Sequence, residues 1–437
     1  MNRPLLLVAA LAACTPSLSE VRRPVDDDLA RRLGAPLDPR TPVDVTALLA
    51  APLDQTAAVK IALANSARLA AAFDELGIAG GGLGAALGLG PLEVDGTLRF
   101  GTHAERELDV VQNVLGLITG GKRRAAAHAD LAAAQAMASA AALRLVARVE
   151  IAFADLLGAQ QALELRRTAF EAADVAATLR ERMFAAGNTT DLAQARDRDA
   201  REQARLDVGR AEARLETRRE VLNALLGLGG AQTAWTATGA LAPLPSAPPQ
   251  LDGLETTAVA ASLELAAGRA RVTGATNHAG EQRLRTVLPE LGVGLSLRDD
   301  ADRGHAIGPL IRLGIPLFDW RGGERLRANA QVSRAEHELT ATAIELRAAA
   351  RAARVTALAA FQETRHLETV ILPLRQQIVD ETLKHYNAMD ADPFALLLAR
   401  RELVEGGAQH LDALRRFWTA MAEVTALERG VALRDEP

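Results

Sequence analysis

A few stretches of this chain alternate apolar and polar residues with a period of two, and they stand out against a background of helical periodicity. In residues 92 to 100, Leu92, Val94, Gly96, Leu98 and Phe100 take one side while Glu93, Asp95, Thr97 and Arg99 take the other. That is the pattern of a strand with one apolar and one wet face. The second such stretch sets Leu291, Val293, Leu295 and Leu297 against Gly292, Gly294, Ser296 and Arg298. Partner strands are expected around 108–118 and 306–318, where Ile311, Leu313, Ile315 and Leu317 alternate clearly and the earlier stretch is blurred. Elsewhere the spacing is three and four. Leu145, Val149, Ala152, Leu156, Ala159, Leu163, Arg166, Phe170, Ala173, Ala177, Arg180 and Phe184 form a coiled-coil seam broken only by two arginines. A second seam, Ala204, Val208, Ala211, Leu215, Arg218, Leu222 and Leu225, predicts an antiparallel partner across the turn FAAGNTTDL. If the first of these helices runs from Lys122 to Phe184, it spans roughly 95 Å at 1.5 Å per residue.

The same plan occurs twice. NSARLAAA at 65–72 parallels ASLELAAG at 261–268, an offset of 196. Pro91 and Pro289 open the two alternating stretches at an offset of 198, and Ala195-Arg196 matches Ala399-Arg400 at 204. Drifting offsets of this kind imply a duplication with small insertions rather than a short-period solenoid. No proline lies between Pro91 and Pro243, and the Pro/Ala-rich stretch TATGALAPLPSAPPQ at 236–250 reads as an extended linker. The expected organisation is therefore a signal peptide at 1–13, an extended N-terminal segment at 14–50, a first repeat at 51–235, the linker at 236–250, a second repeat at 251–430 and a short tail at 431–437.

Composition narrows the class. The 437 residues are 49% apolar but only 3% aromatic, so the core is built mainly from Ala and Leu, both good helix formers. A net charge of −5 argues against nucleic-acid binding. The start MNRPLLLVAALAACTPSLSE has a positive end, a short apolar run and small residues leading to Cys14, as in a secretory signal. Leu11-Ala12-Ala13-Cys14 resembles a bacterial lipobox, which makes the single cysteine, Cys14, a lipid attachment point; the other reading is an ordinary signal with an incidental cysteine. No segment approaches the ~18 apolar residues of a membrane helix, so a membrane crossing would have to use strands. Four strands of membrane-spanning length cannot close on themselves, because single-chain barrels begin at about eight strands. Three chains would supply twelve strands, and their helical hairpins would continue the lumen as a tube.

These features together resemble the TolC-like outer-membrane efflux proteins. LGIPLFDWRGGERLRANAQ at 313–331, the hairpin turn RMFAAGNTTDLAQAR at 182–196, VLNALLGL at 221–228 and the second turn HYNAMDADPFALLLAR at 385–400 carry the resemblance, which extends over roughly residues 45 to 430. It implies a mainly α fold with four strands per chain, assembled as a homotrimer with a twelve-stranded outer-membrane β-barrel and a periplasmic α-barrel. The implied role is the passive exit duct of a tripartite efflux or type I secretion system, lipid-anchored in the outer membrane of a Gram-negative cell, with a periplasmic adaptor and an inner-membrane transporter as partners. A non-channel periplasmic scaffold lipoprotein is the alternative.

Candidate site residues follow from this placement. Gly187, Asp191, Asp390 and Asp392 lie at the hairpin turns, where the resemblance puts a gate and the adaptor contact. The family often has aspartates just after the second turn, but Ala395 and Leu398 stand there instead, so an acidic ring would be displaced to Asp390 and Asp392. The other reading makes those two ordinary turn residues bonded to their own backbone. Asp191 is expected to cap the following helix. Phe100, Phe318 and Trp320 are membrane-interface aromatics, a sparse girdle. Pro373 is a flex point or a simple kink. The glycine-rich 79–90 lacks phosphate-loop spacing and reads as a helix-to-strand transition. Eight scattered histidines, none in H-x-x-x-H spacing, support no metal site or cofactor, and nothing points to an enzyme.

Overall fold

The computed structural model describes residues 16–34, 37, 43–88, 92–100, 105–287, 290–300, 304–314 and 322–433. Cys14, Phe318 and Trp320 lie outside the described residues. The chain is mainly helical, with one four-stranded antiparallel sheet. Its helices are α1 (Leu18–Leu33), α2 (Val45–Leu49), α3 (Gln55–Asn65), α4 (Ala67–Leu87), α5 (Leu115–Ala185), α6 (Asp191–Leu226), α7 (Leu254–Ala261), α8 (Leu263–Val287), α9 (Gly322–His366), α10 (Leu372–Asn387) and α11 (Pro393–Glu428). The strands are β1 (Leu92–Arg99), β2 (Glu105–Asn113), β3 (Glu290–Asp300) and β4 (Gly304–Gly314). The order of two helices, two strands and a helical hairpin runs twice along the chain.

The expected strands are present, but their partners begin earlier than the alternation suggested. β2 ends at Asn113 rather than 118, because the Asn113 side chain accepts the Leu115 N–H at 3.0 Å and starts α5 there. The long helix consequently begins at Leu115, seven residues before Lys122. The glycine-rich stretch is also helical as far as Leu87. Glycine disfavours helix, and here close packing selects it: a Cβ on Gly80 would lie 2.9 Å from Val21 of α1.

The chain divides into two compact units. The first contains residues 1–28, 70–140 and 263–345, and so holds the whole sheet. Here the first turns of α1 are set by a capping box: the Ser17 N–H donates to Glu20 at 2.8 Å, and the Ser17 hydroxyl accepts from the Glu20 N–H at 3.3 Å. The Ser17 N–H, then its hydroxyl, hold the Glu20 carboxyl below its usual range.

The second unit contains residues 29–69, 141–262 and 346–437. Half of the α5 seam positions, Val149, Ala152, Leu156, Ala159, Leu163 and Ala177, are buried. α3 and α7 are each closed against the end of a later helix. The Asn65 side chain donates to the carbonyls of Leu226 and Gly227, while Arg32 of α1 donates to those of Ala261 and Arg429. The linker has no regular structure but is tied down rather than loose. Trp235 is 2% exposed, and its indole N–H donates to Asn223 at 2.8 Å. Gln161 accepts the Leu241 N–H, and Trp418 donates to the Ala242 carbonyl. Leu244 packs on the Phe361–Phe417 pair, whose rings are 5.9 Å apart.

Candidate functional site: a two-faced sheet and two hairpin tips

The strand register sorts the sheet into two faces, because residues directly opposite one another point the same way. One face carries Leu92, Val94, Leu98, Leu108, Val293, Leu295, Leu297, Ile307, Ile311 and Leu313, and all of these are exposed, Ile307 and Ile311 to 72% and 71%. A soluble surface seldom gathers so many large aliphatics in one patch. Phe100, just beyond β1, is 92% exposed. The opposite face carries Glu93, Asp95, Glu107, Asp109 and Glu290 with Arg99, Arg298 and Arg312. Arg298 donates to Glu107 at 2.7 Å, and Arg312 donates to Glu93 and Asp95 at 3.0 Å each.

Glycine allows the strands to come together closely. A Cβ on Gly294 would sit 2.0 Å from the Val110 carbonyl oxygen, so no other residue fits there without moving β2.

The two hairpin tips belong to the second unit. In the first, α5 ends at Ala185 and Gly187 adopts φ +76°, the left-handed conformation open to glycine. α6 then starts at Asp191, but its cap is Thr190, whose hydroxyl accepts the Ala193 N–H at 3.2 Å. Asp191 is therefore the first helical residue, where its charge complements the helix dipole. In the second tip, Asp392 caps α11 by accepting the Phe394 N–H at 3.0 Å, and Asp390 sits 2.9 Å from the His385 ring nitrogen. Both aspartates thus have local roles in the turn.

Met389 occupies the left-handed region at φ +61° and is 95% exposed. A side chain there costs about 1–2 kcal/mol. Met389→Gly is expected to raise stability by up to about 1 kcal/mol once glycine's greater unfolded-state freedom is subtracted. A higher denaturant midpoint at unchanged slope would show it.

One feature at the tips was not singled out from the sequence. Arg180, a polar interruption of the α5 seam, donates to Asp197 of α6 at 2.6 Å and to Thr189 at 3.1 Å, and its guanidinium lies over the Phe394 ring of α11. The other interruption, Arg166, donates to Glu405 of α11 at 2.7 Å. An arginine inside a heptad seam was the available signal, since it must find partners on a neighbouring helix. Deeper in the same unit, Asp155 accepts from Arg415 at 2.7 Å and pairs with Arg218 at 3.1 Å. Burial would lower the Arg415 pKa, but its bonds to Asp155 and Asp412 outweigh this and raise it. Among the described residues no group of three or more His, Cys, Asp or Glu could hold a metal ion, and no helix is long and apolar enough to cross a membrane.

No family model matches the chain. It is 27% identical over 380 residues to the cobalt-zinc-cadmium resistance protein CzcC of Cupriavidus metallidurans, covering 86% of this chain and 90% of that protein. Its structure is similar to the CmeC outer membrane channel of Campylobacter jejuni, with a TM-score of 0.73 at 16% identity over 86% of this chain and 85% of that one. The outer membrane protein VceC of Vibrio cholerae gives 0.71 at 17% identity, over 86% and 96% respectively. The chain therefore has the fold of these outer membrane proteins, in line with the TolC-like resemblance of its sequence.

Proposed function

We propose that this protein is the outer-membrane exit duct of an efflux or secretion system, working as a homotrimer with a periplasmic adaptor and an inner-membrane transporter. The observation that carries the proposal is the sheet: four strands, one face of exposed aliphatics, the other lined with charge. Hydrocarbon tolerates such strands only in a closed barrel, because an open edge would leave backbone groups unsatisfied. Four strands are too few, and three copies supply twelve. The aliphatic face meets lipid and the charged face lines the water-filled lumen.

The chain conducts passively and performs no chemistry. Gly187, Asp191, Asp390 and Asp392 lie in the two tips that form the periplasmic gate and the adaptor contact, Phe100 lies at the membrane interface, and Cys14 carries the lipid. The relative that is named for cobalt, zinc and cadmium resistance makes divalent cations one candidate cargo. Drugs and secreted proteins are others, since the choice rests mainly with the inner-membrane partner.

Reconstitution in a planar bilayer tests the reading. Stepwise conductance from purified protein supports it, whereas a periplasmic scaffold would give none. Cys14→Ala is expected to lose its lipid, seen as a mass decrease of the mature protein, while retaining folded trimers. Failure of that variant to fold would give the anchor a structural role.

A further inference from the structure

The polar face of the sheet holds an ion cluster whose geometry is unexpected for its strand order. Arg312 of β4 donates to Glu93 Oε2 and Asp95 Oδ2, both on β1, at 3.0 Å each, with Glu290 of β3 4.0 Å away. The order is β1-β2-β3-β4, so β1 and β4 are separated by two strands. At about 4.8 Å per step a flat sheet would keep them ~14 Å apart. The register makes the gap longer still. Arg312 lies opposite Gly292, Gly292 opposite Asn113, and Asn113 is one position beyond the Gln112–Leu92 pair, so Arg312 must reach diagonally to Glu93 and Asp95. A contact across that distance requires the sheet to coil with its polar face inward, and Gly292, Gly294 and Gly308 place no side chain on that face between the two edges.

β1 and β4 are also the two edges. Among the described residues each pairs on one side only, which leaves a row of backbone donors and acceptors open on the other. Their charges are complementary: Arg312 is the only Lys, Arg, Asp or Glu in β4, and Glu93 and Asp95 stand together on β1. The cluster is partly open to water, with side-chain exposures of 34% for Arg312, 48% for Glu93 and 59% for Asp95. Ion pairs as exposed as these are worth little and exchange partners readily.

We propose that Arg312, Glu93 and Asp95 form an edge clasp, made within the chain before assembly and remade between copies when the barrel closes, Arg312 then pairing with Glu93 and Asp95 of the partner subunit. This rests on the trimeric barrel reading and adds its closing contact. In a wider barrel the curvature relaxes and carries β4 away from its own β1, while β4 of one copy comes to lie beside β1 of the next. The contact is head-to-tail, and such contacts close into a ring when the rotation allows. It also excludes the wrong pairing, because two β1 edges would bring Glu93 and Asp95 against their own kind. The clasp therefore selects the order in which strands join, besides shielding the lone chain's edges from pairing at random.

Cross-linking separates the two partners. Asp95→Cys with Arg312→Cys is made in the full chain, and isolated outer membranes are treated with a short bis-maleimide and run on a denaturing gel. Covalent dimers and trimers, absent from each single-cysteine variant, are expected. Cross-links confined to single chains in membranes that contain trimers would overturn the clasp and leave the channel reading intact. Absence of trimers in the unaltered protein would overturn both. As a second measure, Arg312→Glu is expected to reduce heat-resistant trimers by about tenfold or more, since like charges then meet at each junction. Combining it with Glu93→Arg and Asp95→Arg should restore them, and trimers unaffected by Arg312→Glu would refute the proposal.

Discussion

Replacing Ile311 by lysine is expected to remove the assembled protein from the outer membrane while leaving its helices folded. Ile311 is 71% exposed on the aliphatic face, so it contributes little to the packing of a single chain. In water a lysine there would be almost without effect. In hydrocarbon it costs about 2–4 kcal/mol near the bilayer midplane, and three-fold assembly incurs that cost once per copy. The control is Thr97→Lys on the opposite face, which faces the lumen and should assemble normally. Fractionation followed by a gel without heating distinguishes the two. If Ile311→Lys inserted as well as the unaltered chain, or if Thr97→Lys failed equally, the assignment of the faces would be wrong.

Trp235→Ala is expected to have the largest effect on the second unit. The ring is fully buried between α6 and the start of the linker, with its N–H on Asn223 and the Arg219 guanidinium 4.9 Å from its centre. Arg219 also donates to the Trp235 carbonyl. Removing a side chain of this size leaves a cavity worth about 3–5 kcal/mol. Trp235→Phe would keep most of the packing but leave the Asn223 oxygen buried without a donor, at about 1–3 kcal/mol. Denaturant unfolding of the two variants should therefore rank alanine well below phenylalanine. Equal midpoints would mean that the hydrogen bond, rather than the packing, holds the linker.

Much of the fold could be read from short-range pattern. The alternation at 92–100 and 291–298 located β1 and β3 and assigned their faces, because a strand's side chains can only alternate. The turns FAAGNTTDL and HYNAMDADPFALLLAR marked both hairpin tips, since Gly187 and the Asp392-Pro393 pair are local stop and start signals. Boundaries were less accurate wherever a side-chain bond decided them. β2 stopped at Asn113 because that residue caps α5, and Thr190 rather than Asp191 capped α6, although both can accept a backbone N–H. The π-helical turn at Leu367–Ile371, immediately before Pro373, had no sequence signal beyond the proline itself.

The residues alone established that the chain is long-helical, that two of its segments are strands with one apolar face, and that four strands cannot form a barrel unaided. These are consequences of local periodicity and of the number of strands, which need no knowledge of what touches what. Contact between segments far apart in sequence decided the rest. Val21 of α1 explains why Gly80 sits in a helix, Arg166 and Arg180 acquire partners on neighbouring helices, and the linker is held by Gln161 and Trp418. The coil of the sheet, which brings Arg312 to Glu93 and Asp95, belongs to the same class. Periodicity assigns a side chain to a face, but only the folded backbone brings two charges to within 3 Å across intervening strands.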